Sequence, residues 1–304
     1  MNGYDKTSGN ERDKRKQFEI LDAEASSIRE RDKVLVKSLF QNFYNKELNV
    51  GIGFQRAYGS ILSGDYFDLI QLPDGKYLFI FADMSGHGLP AYTNLVRLRS
   101  AITISISEAR RIFRQTDVVD TEYLIKNIST KFTDIMEESK SPDFGCVLFT
   151  FIHNDGDKFH LRFYNRSMLF PIIVRKFEGQ VVGVYNLNRE DKGWVPLKGN
   201  LLSSDVRILM GHKYLETPAR HFTLYEGDSI LYYSDGIVES NNADRPSEEF
   251  GEERIIKILH DNMNLMPQLV IRELFDAVYN FMGRPEQQKD DMTAVLIDFP
   301  PVRY

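Results

Sequence analysis

Tyr77-Leu78-Phe79-Ile80-Phe81-Ala82-Asp83-Met84-Ser85-Gly86-His87-Gly88 is the stretch whose reading decides the fold class. Its first six residues are apolar and read as a buried strand, and the run stops at an aspartate that two glycines follow closely. Immediately upstream, Pro73-Asp74-Gly75-Lys76 is a tight-turn sequence, so residues 65–72 and 77–82 form a β-hairpin. Working outward, residues 51–60 read as a strand that precedes this hairpin. Residues 90–113 and 119–138 read as helices that follow it. After a break at Ser141-Pro142-Asp143, strands are predicted over 145–153, 158–164, 169–175 and 180–185, with turns at Asn154-Asp155-Gly156-Asp157 and Glu178-Gly179. Residues 186–205 are polar and contain the only tryptophan, Trp194. A strand over 222–234, helices over 252–260 and 267–282 and a closing strand over 292–299 complete the chain. Strands grouped in hairpins, with helices grouped between them, predict an antiparallel α+β domain and not a parallel doubly wound one. The sequence shows no internal repeat and no low-complexity tract.

Asp83 is one of several carboxylates at strand ends. Ser63-Gly64-Asp65-Tyr66-Phe67-Asp68 opens the first strand of the hairpin, Asp235 follows Ile230-Leu231-Tyr232-Tyr233-Ser234, and Asp290-Asp291 opens Met292-Thr293-Ala294-Val295-Leu296-Ile297. Carboxylates beside glycines, where backbone and ligand can approach closely, suit a hard divalent cation. Several around one point suit two cations, and a metal pair suits hydrolysis of a phosphate ester.

The bulk properties narrow the class. With 304 residues, 42% hydrophobic and 27% charged, the chain can build one large core or two modest ones. A formal net charge of −6 gives no electrostatic case for nucleic acid. Cys146 is the only cysteine, which excludes an internal disulfide framework and a cysteine-rich zinc site; its apolar surroundings predict a packing role. Residues 1–15 are polar and charged, unlike a signal peptide, and are expected to be disordered. No apolar run reaches the roughly 18 residues of a membrane helix, so a cytoplasmic protein is expected. Phe18, Leu21, Ala25, Ile28, Leu35 and Leu39 fall on helical spacing over residues 18–43, with Asp32 interrupting the seam. That helix either lies on its own domain or pairs with a second chain or a regulator. The expected organisation is a disordered N-terminus and amphipathic linker over 1–45, too short for a sensor domain, and a catalytic domain over 46–304.

Taken together, the four aspartate segments resemble those of the SpoIIE-type branch of the metal-dependent serine/threonine phosphatases (the PPM, or type 2C, family), over residues 51–299. The resemblance implies two stacked antiparallel sheets flanked by helices. It also implies two Mn²⁺ or Mg²⁺ ions in the cleft between the sheets. By motif, Asp65, Asp83, Asp235 and Asp290 become the catalytic carboxylates, with Asp83 bridging both ions and the Met84 carbonyl as a further ligand. Asp291 stands where many relatives have asparagine and is carried over as a ligand or as a group that orients the site. A water between two cations loses its proton near neutral pH, so the implied nucleophile is a bridging hydroxide and no side-chain nucleophile is needed. The implied substrate is phosphoserine or phosphothreonine on a signalling protein, in this branch a STAS-domain anti-sigma-factor antagonist. A non-catalytic binding module of the same fold and a phosphatase of small phosphoesters are the alternative readings.

The chain departs from the family pattern in two places. Ser63 replaces the first glycine of a Gly-Gly-Asp motif, a mild change unless the position needs positive φ. Asn165-Arg166-Ser167 stands where relatives often have Ala-Gly-His, and Arg166 is expected either to face the cleft and hold substrate phosphate or to be an exposed turn residue. His87, between two glycines, is either an acid for the leaving group or a residue packing at a helix N-terminus. Residues 186–205 form a long connection that either recognises a partner or decorates the surface.

Overall fold

The computed structural model describes residues 49–299 apart from residues 157 and 191–193. The N-terminal expectations, including the helix over 18–43 and its self-association, lie outside the described residues. One sheet runs in the order β1 (Asn49–Gln55), β10 (Met292–Asp298), β9 (Ser229–Tyr233), β6 (Ile172–Phe177) and β7 (Gln180–Asn186). The other runs β2 (Tyr66–Gln71), β3 (Tyr77–Met84), β4 (Gly145–Asn154), β5 (Lys158–Arg166) and β8 (Ala219–Tyr225). Every pairing is antiparallel. The helices are α1 (Gly88–Thr116), α2 (Thr121–Glu138), α3 (Ser204–Met210), α4 (Asp235–Val238), α5 (Gly251–Asn262) and α6 (Pro267–Met282).

Side-chain alternation along β3 explains the layering. Leu78, Ile80, Ala82 and Met84 pack into a core with Leu95, Leu98 and Ile102 of α1 and Ile128 and Phe132 of α2. The alternate residues turn to the other sheet, where the Phe79 and Phe81 rings meet Tyr232 of β9 at 4.4 and 6.0 Å. Tyr232 is buried, and its hydroxyl donates to Thr150 Oγ1 of β4 at 3.1 Å. A second core sets Leu231, Leu296 and Ile172 against Ile255 and Leu259 of α5 and Val270, Ile271 and Leu274 of α6. The result is helices, sheet, sheet, helices, the expected α+β sandwich. The helix ends follow from local chemistry. The Asp120 carboxylate accepts the Tyr123 N–H at 3.0 Å and caps α2, while Pro267 opens α6 and Gly283, at φ 74°, closes it.

Two stretches depart from the sequence reading. The strand expected over 222–234 is two strands in different sheets, β8 and β9. Gly227 at φ 85° turns the chain, and the buried Asp228 carboxylate locks the turn by accepting from the N–H groups of Tyr225 and Lys176 and from Arg175 Nε. Glu226-Gly227-Asp228 carried that signal in the sequence. The polar connection over 186–205 is ordered where it is described, and it leads into α3 and a 3₁₀ turn, Gly211–Leu215. Trp194 pins it, with its ring edge-on to Phe163, Phe170 and Phe222 and its Nε1–H donating to the Leu187 carbonyl at 2.8 Å. Among the described residues no helix is long and apolar enough to cross a membrane.

Strand β1 lies so close to α6 that a Cβ on Gly51 would fall 2.3 Å from the Pro267 carbonyl carbon and oxygen. Because these are backbone atoms, Gly51→Ala is expected to cost about 1–3 kcal/mol. Urea unfolding reads this as a lower midpoint at unchanged slope; an unchanged midpoint counts against the close β1–α6 contact.

Candidate active site

The aspartate segments, far apart in sequence, converge at one end of the cleft between the sheets. Asp83 closes β3 on its sheet-facing side, two residues after Phe81, and pairs with Cys146 of β4. Asp65 precedes β2, and its Oδ2 accepts the Thr293 hydroxyl of β10 at 2.6 Å. Asp235 begins α4 directly after β9, and Asp290 and Asp291 precede β10. Close packing enforces the glycines between them. A Cβ on Gly64 would lie 2.8 Å from the Met84 carbonyl oxygen, and one on Gly236 would lie 2.0 Å from the Asp291 carbonyl oxygen. Ser63 needs no positive φ, and its hydroxyl accepts the Asp65 N–H at 3.0 Å, so serine fits in place of glycine.

The electrostatics are those of crowded, desolvated acids. Burial pushes Asp65 well above the usual carboxylate range; the Thr293 hydroxyl opposes this, and Asp291 adds to it. Burial also raises Asp83, followed by repulsion from Asp65, Asp235, Asp290 and Asp291. Asp290 is raised by burial first and then, against the hydrogen bond from the Asp291 N–H, by Asp235 and Asp291. Cys146, half-buried beside Asp83 and Asp235, has its thiol pushed up to about 12, chiefly by burial, which makes it a poor nucleophile and accords with a packing role.

Among the described residues no three histidine, cysteine or acidic side chains converge tightly enough to hold an ion by themselves. The donor set is nonetheless all oxygen and strongly anionic. Ions such as Mg²⁺ keep several waters and take only one or two carboxylates each, so Asp65, Asp83, Asp235, Asp290 and the Met84 carbonyl fit such ions and do not fit a zinc site.

Three expectations need separate report. Asp291 has both carboxylate oxygens engaged by backbone, accepting the Ala57 N–H at 2.9 Å and the Gly64 N–H at 2.8 Å, and it is 2% exposed. It braces the loop that carries Asp65, which is the orienting alternative of the two carried over by motif and not the ligand. Arg166 is corrected outright. It is fully buried, donates from Nη1 to the Tyr214 carbonyl and Thr217 Oγ1 at 2.8 Å each, and stacks on the Tyr214 ring at 4.6 Å. Strand parity is the reason, since Arg166 pairs with Val147 and Val147 with Ala82, which places all three on the helix-facing side of the sheet. His87 is exposed at the N-cap of α1, makes no capping hydrogen bond, and lies within electrostatic reach of Asp290. The same parity turns Asp68 toward the helices, where it accepts the Tyr66 hydroxyl near Arg99.

Sequence reasoning missed the braces. The Gln288 side-chain amide donates to the carbonyls of Gln55, Arg56 and Asp290, and the Ser234 hydroxyl accepts the Thr293 N–H at 2.9 Å. Gln288 lies more than 200 residues from Gln55 and Arg56 and leaves no mark in a local pattern, although Ser234 directly precedes Asp235 and Thr293 follows Asp290-Asp291 by two positions.

Comparison with known proteins supplies the context. The family model described as Stage II sporulation protein E (SpoIIE) matches residues 73–300. The SiaA-PP2C domain of Pseudomonas aeruginosa superposes with a TM-score of 0.65 at 16% identity, covering 94% of this chain and 98% of that one. The phosphatase domain of the cell fate determinant SpoIIE from Bacillus subtilis, with a fragment of its regulatory domain, gives 0.59 at 16% identity, covering 84% and 64%. The RsbU and RsbW domains of Rv1364c from Mycobacterium tuberculosis give 0.57 at 17% identity, covering 85% and 61%. These likenesses are of fold. Among curated proteins, no sequence matches.

Removing one charge relieves the repulsion, so in chelator Asp83→Asn is expected to melt above the wild type at neutral pH. The folded-state acidities of Asp65 and Asp83 lie above the unfolded value of 3.8, so the penalty grows as pH rises through and beyond that value. The gap between variant and wild type therefore narrows toward about pH 4. Added Mn²⁺ raises the wild-type melting temperature and raises that of the variant less. A variant less stable than the wild type in chelator at neutral pH contradicts this account.

Proposed function

Because the chain belongs to the SpoIIE family of protein serine/threonine phosphatases, we propose that it hydrolyses phosphoserine or phosphothreonine on a protein partner with the help of two divalent ions. The observation that carries the reading is the cluster of buried Asp65, half-buried Asp83 and Asp235, and Asp290 at the rim, whose crowding calls for cations. These four carboxylates and the Met84 carbonyl are the proposed ligands for Mn²⁺ or Mg²⁺. Bound there, such ions would lower the pKa of an attacking water and take up charge developing on the phosphoryl oxygens.

The protein's own residues do the rest. Thr293 holds one oxygen of Asp65 and so fixes which edge of that carboxylate faces the cleft. Asp291 and Gln288 tie the loop before β10 to the connection between β1 and β2, which keeps the acids in register. His87, exposed at the rim beside Asp290, is the proposed donor of a proton to the departing serine or threonine oxygen. The family and the likeness to RsbU- and SpoIIE-type domains support a phosphorylated STAS-domain anti-sigma-factor antagonist in the cytoplasm as the substrate. Arg166 has no part in substrate binding on this reading.

The test is turnover of p-nitrophenyl phosphate and a phosphoserine peptide with Mn²⁺, with Mg²⁺ and with chelator. Activity is expected only with a divalent ion, and Asp83→Asn is expected to lower it by about 10²-fold or more. Equal turnover in chelator overturns the reading. Replacing the buried Arg166 by methionine is expected to shift the melting temperature and leave KM unchanged, and a rise in KM at unchanged stability would restore Arg166 to the cleft.

A further inference from the structure

Asp83 stands at one end of strand β3, and the helix-facing side of the other end lines a cavity that the phosphatase reading does not use. We propose that this cavity binds a small molecule through its phosphate monoester dianion, apart from the acid cluster. The proposal goes beyond the phosphatase reading and does not depend on it.

Strand parity builds the floor. Leu78, Phe151, Arg162 and His221 are partners in one row across β3, β4, β5 and β8. Leu78 and Phe151 belong to the core under α1 and α2, so the whole row faces the helices. His153 and His160 pair two positions further out on the same face, with their rings 6.4 Å apart, and Lys76, just before β3, lines the same space. The connection from α1 to α2, residues 118–122, forms the opposite wall. The 3.0 Å hydrogen bond between Thr121 Oγ1 and the Tyr164 hydroxyl ties that wall to the floor. The space between them is about 400 Å³, within the roughly 300–1,000 Å³ of small-molecule sites. Lys76 and Asp83 are seven positions apart on extended chain, which is roughly 20 Å, and Asp83 faces the other sheet.

The balance of engaged and free groups selects an anion. Four carboxylates in and beside the cavity are already engaged. Asp74 holds Lys76 at 2.6 Å, Asp155 holds His160 at 2.6 Å, Glu122 holds Lys126 at 2.9 Å, and Asp120 accepts the Tyr123 N–H at 3.0 Å. The donors are in surplus. Arg162 makes no ion pair or side-chain hydrogen bond among the described residues; its Nε is buried without a partner, and its guanidinium is steadied over the Tyr164 ring at 5.1 Å. The rings of His153 and His221 have no hydrogen-bond partner among the described residues either. Arg162 and His221 lie directly opposite one another, with Cβ atoms about 5 Å apart, so both can reach one ligand. Burial and the Arg162 charge hold His221 below the usual histidine range, a repulsion that an anion between them relieves. A carboxylate offers two oxygens, whereas a phosphate monoester offers three and a second charge, which suits a guanidinium with imidazoles beside it and an ammonium nearby. Buried Phe151 and Val119 give the organic part of the ligand an apolar surface.

The experiment is calorimetric titration of the full chain with phenyl phosphate and with inorganic phosphate, in chelator, where the acid cluster holds no cation to attract a dianion. The wild type is expected to bind phenyl phosphate at one site and inorganic phosphate more weakly, because the smaller ion leaves the apolar surface unused. Arg162→Gln and His221→Gln, the second at an exposed position, are each expected to weaken phenyl phosphate by about tenfold or more. Val118→Trp, which keeps every charge and puts a ring into the cavity from its exposed wall, is expected to do the same. A wild type that binds neither probe overturns the proposal, as does binding that all three variants retain. None of these arms reads turnover, so their failure leaves the phosphatase reading standing. A chain that binds phenyl phosphate here but hydrolyses nothing with Mn²⁺ overturns the phosphatase reading alone.

Discussion

Asp291 accepts the main-chain N–H groups of Ala57 and Gly64, and through that pair of hydrogen bonds the end of one sheet holds the beginning of the other. The bonds use both oxygens of one carboxylate, so they fix direction as well as distance, and a charged acceptor makes them stronger than ordinary amide contacts. The loop that leads to Asp65 is held by this brace. It sets the loop that carries Asp65, brings Gly64 against the Met84 carbonyl, and leaves Thr293 in reach of Asp65. Crowding several acids into one desolvated cleft is unfavourable, and the surrounding fold has to hold them there. The Asp291 carboxylate across the two sheets, and close backbone contacts within each sheet where glycine alone fits, supply that hold.

The period of two along a strand then sorts the chemistry. Asp83 and Cys146 face the cleft because Phe81 and Leu148 do; Arg166 and Asp68 face the helices because Val147 and Ile80 do. A residue one position away from an ideal site is on the wrong side of the sheet, whatever its charge.

Much of this could be read in the sequence. The apolar run of β3, the turn before it and the aspartates at strand ends carried the sandwich and the candidate acids, because strand burial and tight turns leave local signatures. The split between β8 and β9 was marked by Gly227 and Asp228 but was hidden inside an apolar stretch long enough for one strand. Arg166 matched neither expectation, facing the cleft or lying exposed in a turn, because its register, fixed by a strand pairing that the sequence does not show, turned it into the helix-side core. The engagement of Asp291 by two distant amides and the grip of Gln288 on the connection after β1 are tertiary facts. Neither has a spacing that could announce it.

Thr293 and Asp291 sit near the end of the chain, and the groups they hold, Asp65, Ala57 and Gly64, sit near its start, separated by 228, 234 and 227 positions. Closing so large a loop is slow compared with forming the local hairpins, because its entropy must be lost before any contact repays it. On the ribosome, the hairpin of β2 and β3 can form as soon as it emerges, but the acid cluster cannot be complete until β10 has been released and inserted between β1 and β9. Assembly of the acid cluster thus waits on β10. A nascent chain from which that strand has not yet emerged holds Asp65 and Asp83 without the groups that order them.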